Sequence, residues 1–178
     1  MAIKSVISLL PERPKNQAEA KREQIRNEVF PNSAQDIYDR KVHNGYSTVP
    51  RTIGLMLTLI EELAPKGKNP SRVYSELWFR TFDDKLVDVK DEEEFAYASG
   101  LSVRRWRERI DVLENLGFIK VAPNGNKRYG YILLRNPNNV VQEMKQQSNN
   151  QIPSKWWTAY TKRCVEIGYP VGQPAVRP

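Results

Sequence analysis

One stretch of the chain, residues 100–134, constrains the fold more than any other, because a long amphipathic helix runs directly into a β-hairpin. Apolar side chains recur three or four positions apart from Val103 to Leu116, which predicts one buried helix face, and Ser102 is the predicted N-cap of this helix. Gly117 suits the position just past a helix end, where a left-handed backbone is common. Apolar runs on both sides of a polar turn at 123–128, with its Asn-Gly pair, then predict two short antiparallel strands. A small domain of packed helices with a β-hairpin follows from this order.

Three further helices and a strand are predicted before that stretch. An amphipathic helix begins near Ile53 and has its apolar positions spaced by three and four. The next helix has Ser71 as its predicted N-cap and leads to a short strand at 86–89. Asp91 is the predicted cap of a third helix, and Glu94 three positions later completes an acidic variant of the capping box.

The two helices joined by the Gly-Leu-Ser turn at 100–102, the second of which enters a basic hairpin, resemble the winged helix-turn-helix superfamily. The passage Leu113–Ile119, a Leu-x-x-Leu-Gly-Phe-Ile run, is typical of how such helices enter the wing. The resemblance covers residues 50–136 and indicates no subfamily. It implies a mainly α fold with a small β-hairpin wing. An extra helix precedes the 86–89 strand, so either of the two earlier helices can serve as the first of the superfamily's three.

The remainder of the chain is predicted to flank this core. Residues 1–49 read as a partly helical N-terminal arm, because their apolar stripe is too narrow to hold a helix by itself. Residues 50–136 form the predicted winged-helix domain. Residues 137–178 form a C-terminal helical extension that ends in a proline-rich tail.

One apolar stripe marks the helix predicted from about residue 153. Its members follow each other at steps of three, four and three residues and are Trp157, Tyr160, Cys164 and Ile167. A stripe of this size needs a cover, and three covers remain open. They are the chain's own core, a second subunit of a homodimer, or nucleic-acid bases stacked on the aromatic rings. We therefore treat the stripe as a predicted interaction surface.

The positive charge of the chain is concentrated in one block. The 28 Lys and Arg against 21 Asp and Glu give a net charge of +7. Residues 102–135 hold eight basic and three acidic groups, which makes +5, whereas residues 50–101 hold seven and ten, which makes −3. A localised excess of this kind predicts a contact face for an anionic partner.

The resemblance and the charge pattern agree on which side chains would contact DNA. A recognition helix at about 102–116 would offer polar and basic groups from its N-terminal half, since that end enters the major groove. A basic wing at about 123–130 would hold a minor groove or the adjacent backbone. The predicted DNA-contacting residues are Ser102, Arg104, Arg105, Arg107, Arg109, Lys127 and Arg128.

A simpler interpretation of the same residues remains open. Arg104 with Glu108, and Arg107 with Asp111, stand four positions apart and can form ion pairs on a solvated helix face. Trp106, in contrast, is predicted to lie in the core rather than to stack on bases.

Composition excludes several classes of site. The chain has one cysteine, Cys164, and one histidine, His43, so we expect neither an intrachain disulfide nor a Cys- or His-rich metal site. No catalytic partner for either residue and no nucleotide-binding glycine motif is visible, so we expect no enzyme activity and no cofactor. No apolar run approaches the roughly 18–20 residues needed to cross a bilayer. The short apolar start differs from a secretory signal, so a cytoplasmic protein without a membrane partner is expected.

These observations predict a non-enzymatic protein that binds double-stranded DNA with sequence selectivity. It would serve transcription control, or the replication or maintenance of a genetic element. The alternative is a winged helix that acts as a protein-interaction subunit of a larger assembly, such as a nucleoprotein complex. The N-terminal arm and the C-terminal helix favour that alternative, because both need something to hold them.

Overall fold

The computed structural model describes residues 49–81, 84–147 and 151–169, together with three single positions, Ala20, Gln24 and Glu28. The chain divides into two units, Met1–Gly45 and Tyr46–Pro178. The three single positions belong to the first unit and are helical, and Gln24 Nε2 donates a hydrogen bond to Glu28 Oε1 at 2.9 Å. Apart from them and Val49, the predicted arm lies outside the described residues, as does the predicted tail beyond residue 169.

Six helices and three strands lie within the described part of the second unit. In chain order they are α1 (Ile53–Leu63), α2 (Ser71–Phe79), β1 (Leu86–Asp88), α3 (Glu92–Ala98), α4 (Val103–Asn115), β2 (Ile119–Asn124), β3 (Lys127–Leu134), α5 (Pro137–Gln146) and α6 (Ser154–Glu166). The strands form one antiparallel sheet in the order β1-β3-β2. The described part is therefore mainly α-helical with a small sheet, which is compatible with the predicted winged-helix layout.

The buried face of α4 lies at the centre of the core. Its Trp106, Ile110 and Leu113 side chains are fully buried, as their spacing predicts. The Trp106 ring contacts Phe95 of α3 and Tyr129 of β3, at centroid distances of 6.0 and 5.9 Å. One tryptophan thus joins α3 and α4 to the sheet.

The β2–β3 hairpin is tighter than the sequence predicts. Its strands reach Asn124 and resume at Lys127, so only Gly125 and Asn126 form the turn. Gly125 has a φ of +58°, a left-handed conformation that glycine adopts without the strain a side chain would cause. The predicted longer turn at 123–128 is therefore wrong. Two strands that keep pairing to the tip present Lys127 from β3 rather than from a loop.

Two of the predicted N-caps are confirmed. The Asp91 carboxylate accepts hydrogen bonds from the backbone N–H groups of Glu93 and Glu94 at 2.9 and 3.4 Å, at the start of α3. The Ser102 hydroxyl accepts one from the Arg105 N–H at 3.4 Å, at the start of α4. Side-chain oxygens therefore satisfy backbone donors that the first turn of each helix leaves free.

Two other predicted details of helix starts are wrong. Ser71 is the first residue of α2 and not its cap, because Pro70 holds the cap position. Glu94 does not turn back to Asp91 as in a capping box, since its carboxylate accepts two hydrogen bonds from the Arg80 guanidinium at 2.9 Å each. The same hydrogen bonds lower the pKa of the Glu94 carboxyl below its ordinary value. A charged partner at the C-cap of α2 thus replaces the local capping contact.

The C-terminal helices pack on the same core as the rest of the unit. Trp156, Tyr160 and Cys164 of α6 are buried in it. Trp156 Nε1 donates a hydrogen bond to the Leu55 carbonyl of α1 at 2.6 Å. The Tyr160 hydroxyl donates one to Asn138 Oδ1 of α5 at 3.0 Å. Aromatic side chains therefore attach α6 to both α1 and α5.

Candidate nucleic-acid interface

The turn between α3 and α4 sets the start of α4. Gly100 adopts a φ of +67°, and its N–H donates to the Tyr97 carbonyl at 2.8 Å. The Leu101 N–H donates to the Ala96 carbonyl at 2.9 Å, which closes α3. Chain reversal is complete within these residues, so Ser102 caps α4 immediately after the turn with its side chain exposed.

Three of the predicted DNA-contacting arginines, Arg104, Arg105 and Arg107, are exposed on α4. Arg104 leaves 90% of its side-chain surface in solvent. Trp106 lies between them in sequence and points into the core, so the arginines occupy the opposite side of the helix and its two flanks. The N-terminal half of α4 thus presents three guanidinium groups outward.

Lys127 and Arg128 extend this basic surface onto β3, where both are exposed. Arg128 Nη2 donates to Asp111 Oδ1 of α4 at 3.2 Å, and the Tyr129 hydroxyl donates to the same oxygen at 2.9 Å. Burial and the bond to Asp111 raise the pKa of Tyr129 above its ordinary value. Asp111 therefore joins the hairpin to α4. We call the combined set the α4–hairpin surface: Ser102, Arg104, Arg105, Arg107, Lys127 and Arg128.

Carboxylates neutralise part of the α4–hairpin surface. Arg107 Nε lies 2.6 Å from Glu92 Oε2 of α3, and this hydrogen bond raises the pKa of the Arg107 guanidinium. Arg104 Nε lies 3.4 Å from Glu108 Oε1, so the first of the alternative pairs is present. Arg107, however, pairs with Glu92 and not with Asp111. The exposed Arg104–Glu108 pair contributes about 0–1 kcal/mol. Arg107 keeps 51% of its side-chain surface exposed although Glu92 keeps only 13%, so both guanidinium groups can exchange carboxylate for phosphate.

Arg109 has a different place from the other predicted contacts. Only 11% of its side-chain surface is exposed. Its Nη2 donates to the Gly67 carbonyl in the α1–α2 loop at 3.4 Å, and its Nη1 lies 3.3 Å from Glu108 Oε2. Helical periodicity puts Arg109 on a flank of α4, but the loop covers that flank. We therefore remove Arg109 from the set of candidate phosphate contacts.

The four residues of the predicted interaction surface on α6 differ in burial, two being fully buried and two half-buried. Tyr160 and Cys164 are fully buried, and burial is the main cause that raises the pKa of each side chain. Trp157 and Ile167 are half-buried, and Lys145 Nζ of α5 lies 5.0 Å above the Trp157 ring. The chain's own core is therefore the cover for Tyr160 and Cys164.

Two residues that lie close to α4 could not be predicted from the sequence. One is Glu92, the partner of Arg107 at a separation of 15 positions. The other is Arg72 of α2, whose guanidinium lies so close to the α3–α4 turn that a Cβ on Gly100 would be 2.9 Å from its Nη1. In the sequence, only Gly100 signals the contact with Arg72, because glycine often stands where a close neighbour leaves no room for a side chain.

Comparisons with known proteins do not place the chain in a family. No protein-family model matches it, and neither curated proteins nor solved structures give a significant match. Within the described ranges, no helix is long and apolar enough to cross a membrane. The same residues contain no group of three or more His, Cys, Asp or Glu side chains that could hold a metal ion.

Proposed function

We propose that this protein binds double-stranded DNA with sequence selectivity as a winged helix-turn-helix protein, with α4 as recognition helix and the β2–β3 hairpin as wing. The observation that carries the proposal is the α4–hairpin surface, in which exposed arginines on one helix adjoin two exposed cations on the hairpin. The second helix of a helix-turn-helix pair enters the major groove with its N-terminal residues. Such binding would serve transcription control, or the replication or maintenance of a genetic element.

Each part of the surface has a chemical role in this proposal. Arg104 stands out at the N-terminal end of α4 and can donate two hydrogen bonds to guanine O6 and N7. The remaining groups suit phosphate oxygens, which fix the register of a protein on the duplex without reading sequence. These groups are Ser102, Arg105, Arg107, Lys127 and Arg128.

The carboxylates within the surface favour selective over indiscriminate binding. Glu108 and Asp111 are both partly exposed on α4. A carboxylate repels phosphate, so a duplex held in the wrong register loses affinity. In the right register a carboxylate can accept a hydrogen bond from cytosine N4.

The proposal is tested by titrating the full chain with random duplex DNA over a series of salt concentrations. Each phosphate that the protein neutralises contributes about −0.9 to the slope of log K against log salt. The five cations of the α4–hairpin surface therefore contribute at most about −4.5. A protein of the same length and net charge, with dispersed basic residues, is the control. Equal affinity of the two at low salt would contradict the proposal.

Sequence selectivity has a test of its own in Arg104 and Lys127. On a duplex with a selected site, Arg104→Ala should cost about 1–3 kcal/mol at one base position and relax the preference there. Lys127→Ala should weaken binding to all sequences alike and reduce the salt slope by about 0.9. If both variants lose affinity equally on every sequence, Arg104 does not read a base.

The alternative function, a winged helix used as a protein-interaction subunit of a larger assembly, is favoured by one observation. Leu86 of β1 and Leu133 of β3 are cross-strand neighbours with 41% and 40% of their surface exposed. Adjacent exposed apolar side chains are typical of protein contacts. A wild-type chain that fails to bind duplex DNA would shift the balance to this alternative.

A further inference from the structure

A second group of cations borders α4. It comes from the α1–α2 loop and the first turn of α2, and its members are Lys66, Lys68 and Arg72. No acidic residue occurs in the sequence from 63 to 75. In the described part of the chain none of the three takes part in an ion pair, whereas Arg104, Arg107 and Arg128 of the α4–hairpin surface are each paired with a carboxylate.

Two contacts hold this group against α4. The Gly67 carbonyl, between the two lysines in sequence, accepts the Arg109 Nη2 hydrogen bond at 3.4 Å, so the loop lies beside the middle of the helix. Arg72 lies against Gly100 in the turn where α4 begins. The loop and Arg72 therefore follow α4 from its start to its middle.

The group and the hairpin lie on opposite flanks of α4. At 100° per residue, Arg107 and Asp111 share one flank, and both bond to α3 or to the hairpin. Arg105 and Arg109, also four positions apart, share the other flank, where Arg109 meets the loop. The exposed side of α4, which carries Arg104, lies between the two flanks.

From this placement we infer that Lys66, Lys68 and Arg72 form a second phosphate-binding surface, so that the duplex is held by its backbone on both sides of α4. The inference rests on the proposed function. A helix in the major groove, about 12 Å wide, lies between two sugar-phosphate backbones. The hairpin reaches one backbone and the α1–α2 loop reaches the other. Since phosphate contacts carry no sequence information, this surface acts on affinity and salt dependence alone.

The test compares two triple variants of the full chain that have the same net charge. K66Q/K68Q/R72Q removes the cations of the second surface, and K155Q/K162Q/R163Q removes three exposed cations of α6 as the matched control. Each protein is titrated with random duplex DNA over a salt series. We expect the first variant to lose about 2.7 from the slope of log K against log salt, which is three phosphates at about 0.9 each. The control should keep the wild-type slope, and both should keep the wild-type order of preference among selected duplexes.

Equal slopes for the two variants, with a wild-type chain that binds duplex DNA, would overturn the inference and leave the proposed function intact. If the wild-type chain does not bind duplex DNA, both the inference and the proposed function are wrong. A variant that loses binding to single-stranded DNA or to RNA, but not to duplex, also overturns the inference. Thermal melting checks the fold of each triple variant. Should K66Q/K68Q/R72Q fail to fold, K66Q and R72Q singly should each reduce the slope by about 0.9, and an unchanged slope in both overturns the inference.

Discussion

At the scale of single residues, Trp106 is the largest fully buried side chain in the described core. Its side chain is fully buried and its ring contacts both Phe95 and Tyr129. Trp106→Ala removes these contacts and leaves a cavity, so we expect the free energy of unfolding to fall by about 3–5 kcal/mol. Urea denaturation followed by circular dichroism measures this loss.

Trp106→Phe is the matched control for that prediction. The Trp106 Nε1 is buried without a hydrogen-bond partner among the described residues, so a phenyl ring removes an unsatisfied donor and keeps much of the packing. The Phe variant should therefore be clearly more stable than the Ala variant. An Ala variant with unchanged melting but lost DNA binding would mean that the ring is exposed.

The two confirmed N-caps separate a structural role from a DNA-contacting one. Asp91 and Ser102 cap α3 and α4, and loss of a cap costs about 0.5–2 kcal/mol. Asp91→Ala and Ser102→Ala should therefore both lower the free energy of unfolding by about 1 kcal/mol. Only Ser102→Ala should also weaken duplex binding, because Ser102 belongs to the α4–hairpin surface. Matched denaturation curves and DNA titrations of the two variants measure this, and equal DNA affinities would remove Ser102 from that surface.

Residue-level rules succeed where the partner is local. The caps at Asp91 and Ser102 follow from an oxygen placed two or three positions before a backbone N–H. They fail where a distant group competes for the side chain, as Arg80 does for the Glu94 carboxylate. They also fail where another part of the chain covers a helix flank, as the α1–α2 loop does at Arg109.

At the scale of elements, deletion of α6 tests how much the C-terminal extension stabilises the second unit. Truncation after Gln151 removes four buried side chains, those of Ile152, Trp156, Tyr160 and Cys164. Large buried apolar side chains contribute about 1.5–3 kcal/mol each, so we expect the free energy of unfolding to fall by several kcal/mol. Truncation after Tyr169, which keeps α6, is the control and should melt like the full chain. If both truncated chains melt alike, α6 does not stabilise the core.

Helix and strand positions could be predicted because their signals are periodic. The three-and-four spacing places α4 and its buried face to within a residue or two of Val103–Asn115. The length of the β2–β3 turn could not be predicted in the same way. Polar residues at 123–128 look like a loop, but β-pairing across the hairpin continues to Asn124 and Lys127. Pairing between strands is a tertiary effect that overrides local composition.

At the scale of the whole molecule, the sequence shows where the excess of basic residues lies, but it does not show which carboxylates pair with them. The +5 block at 102–135 points to α4 and the hairpin. The carboxylates of Glu92 and Asp111 approach Arg107 and Arg128 only because the folded chain brings together residues 15 and 17 positions apart. A net charge counted along the chain therefore overestimates the positive field that DNA would meet.

The last prediction measures that neutralisation through Glu92 and its neighbour Glu93. Glu92→Gln removes the carboxylate that lies 2.6 Å from Arg107, whereas Glu93→Gln removes an equal charge from an exposed position of the same helix. Without Glu92, Arg107 no longer has to break an ion pair before it binds phosphate, and the roughly 1 kcal/mol that such a pair contributes corresponds to an increase of up to about fivefold in non-specific duplex affinity. Glu93→Gln acts only through the screened field of the whole molecule, so its effect should stay within about twofold. Both variants lose one favourable charge at the α3 N-terminus, but Glu92→Gln also loses the ion pair with Arg107, so it should be the less stable of the two. Titration of each with random duplex DNA decides the matter, since equal gains would show that net charge alone, and not the release of Arg107, governs non-specific affinity.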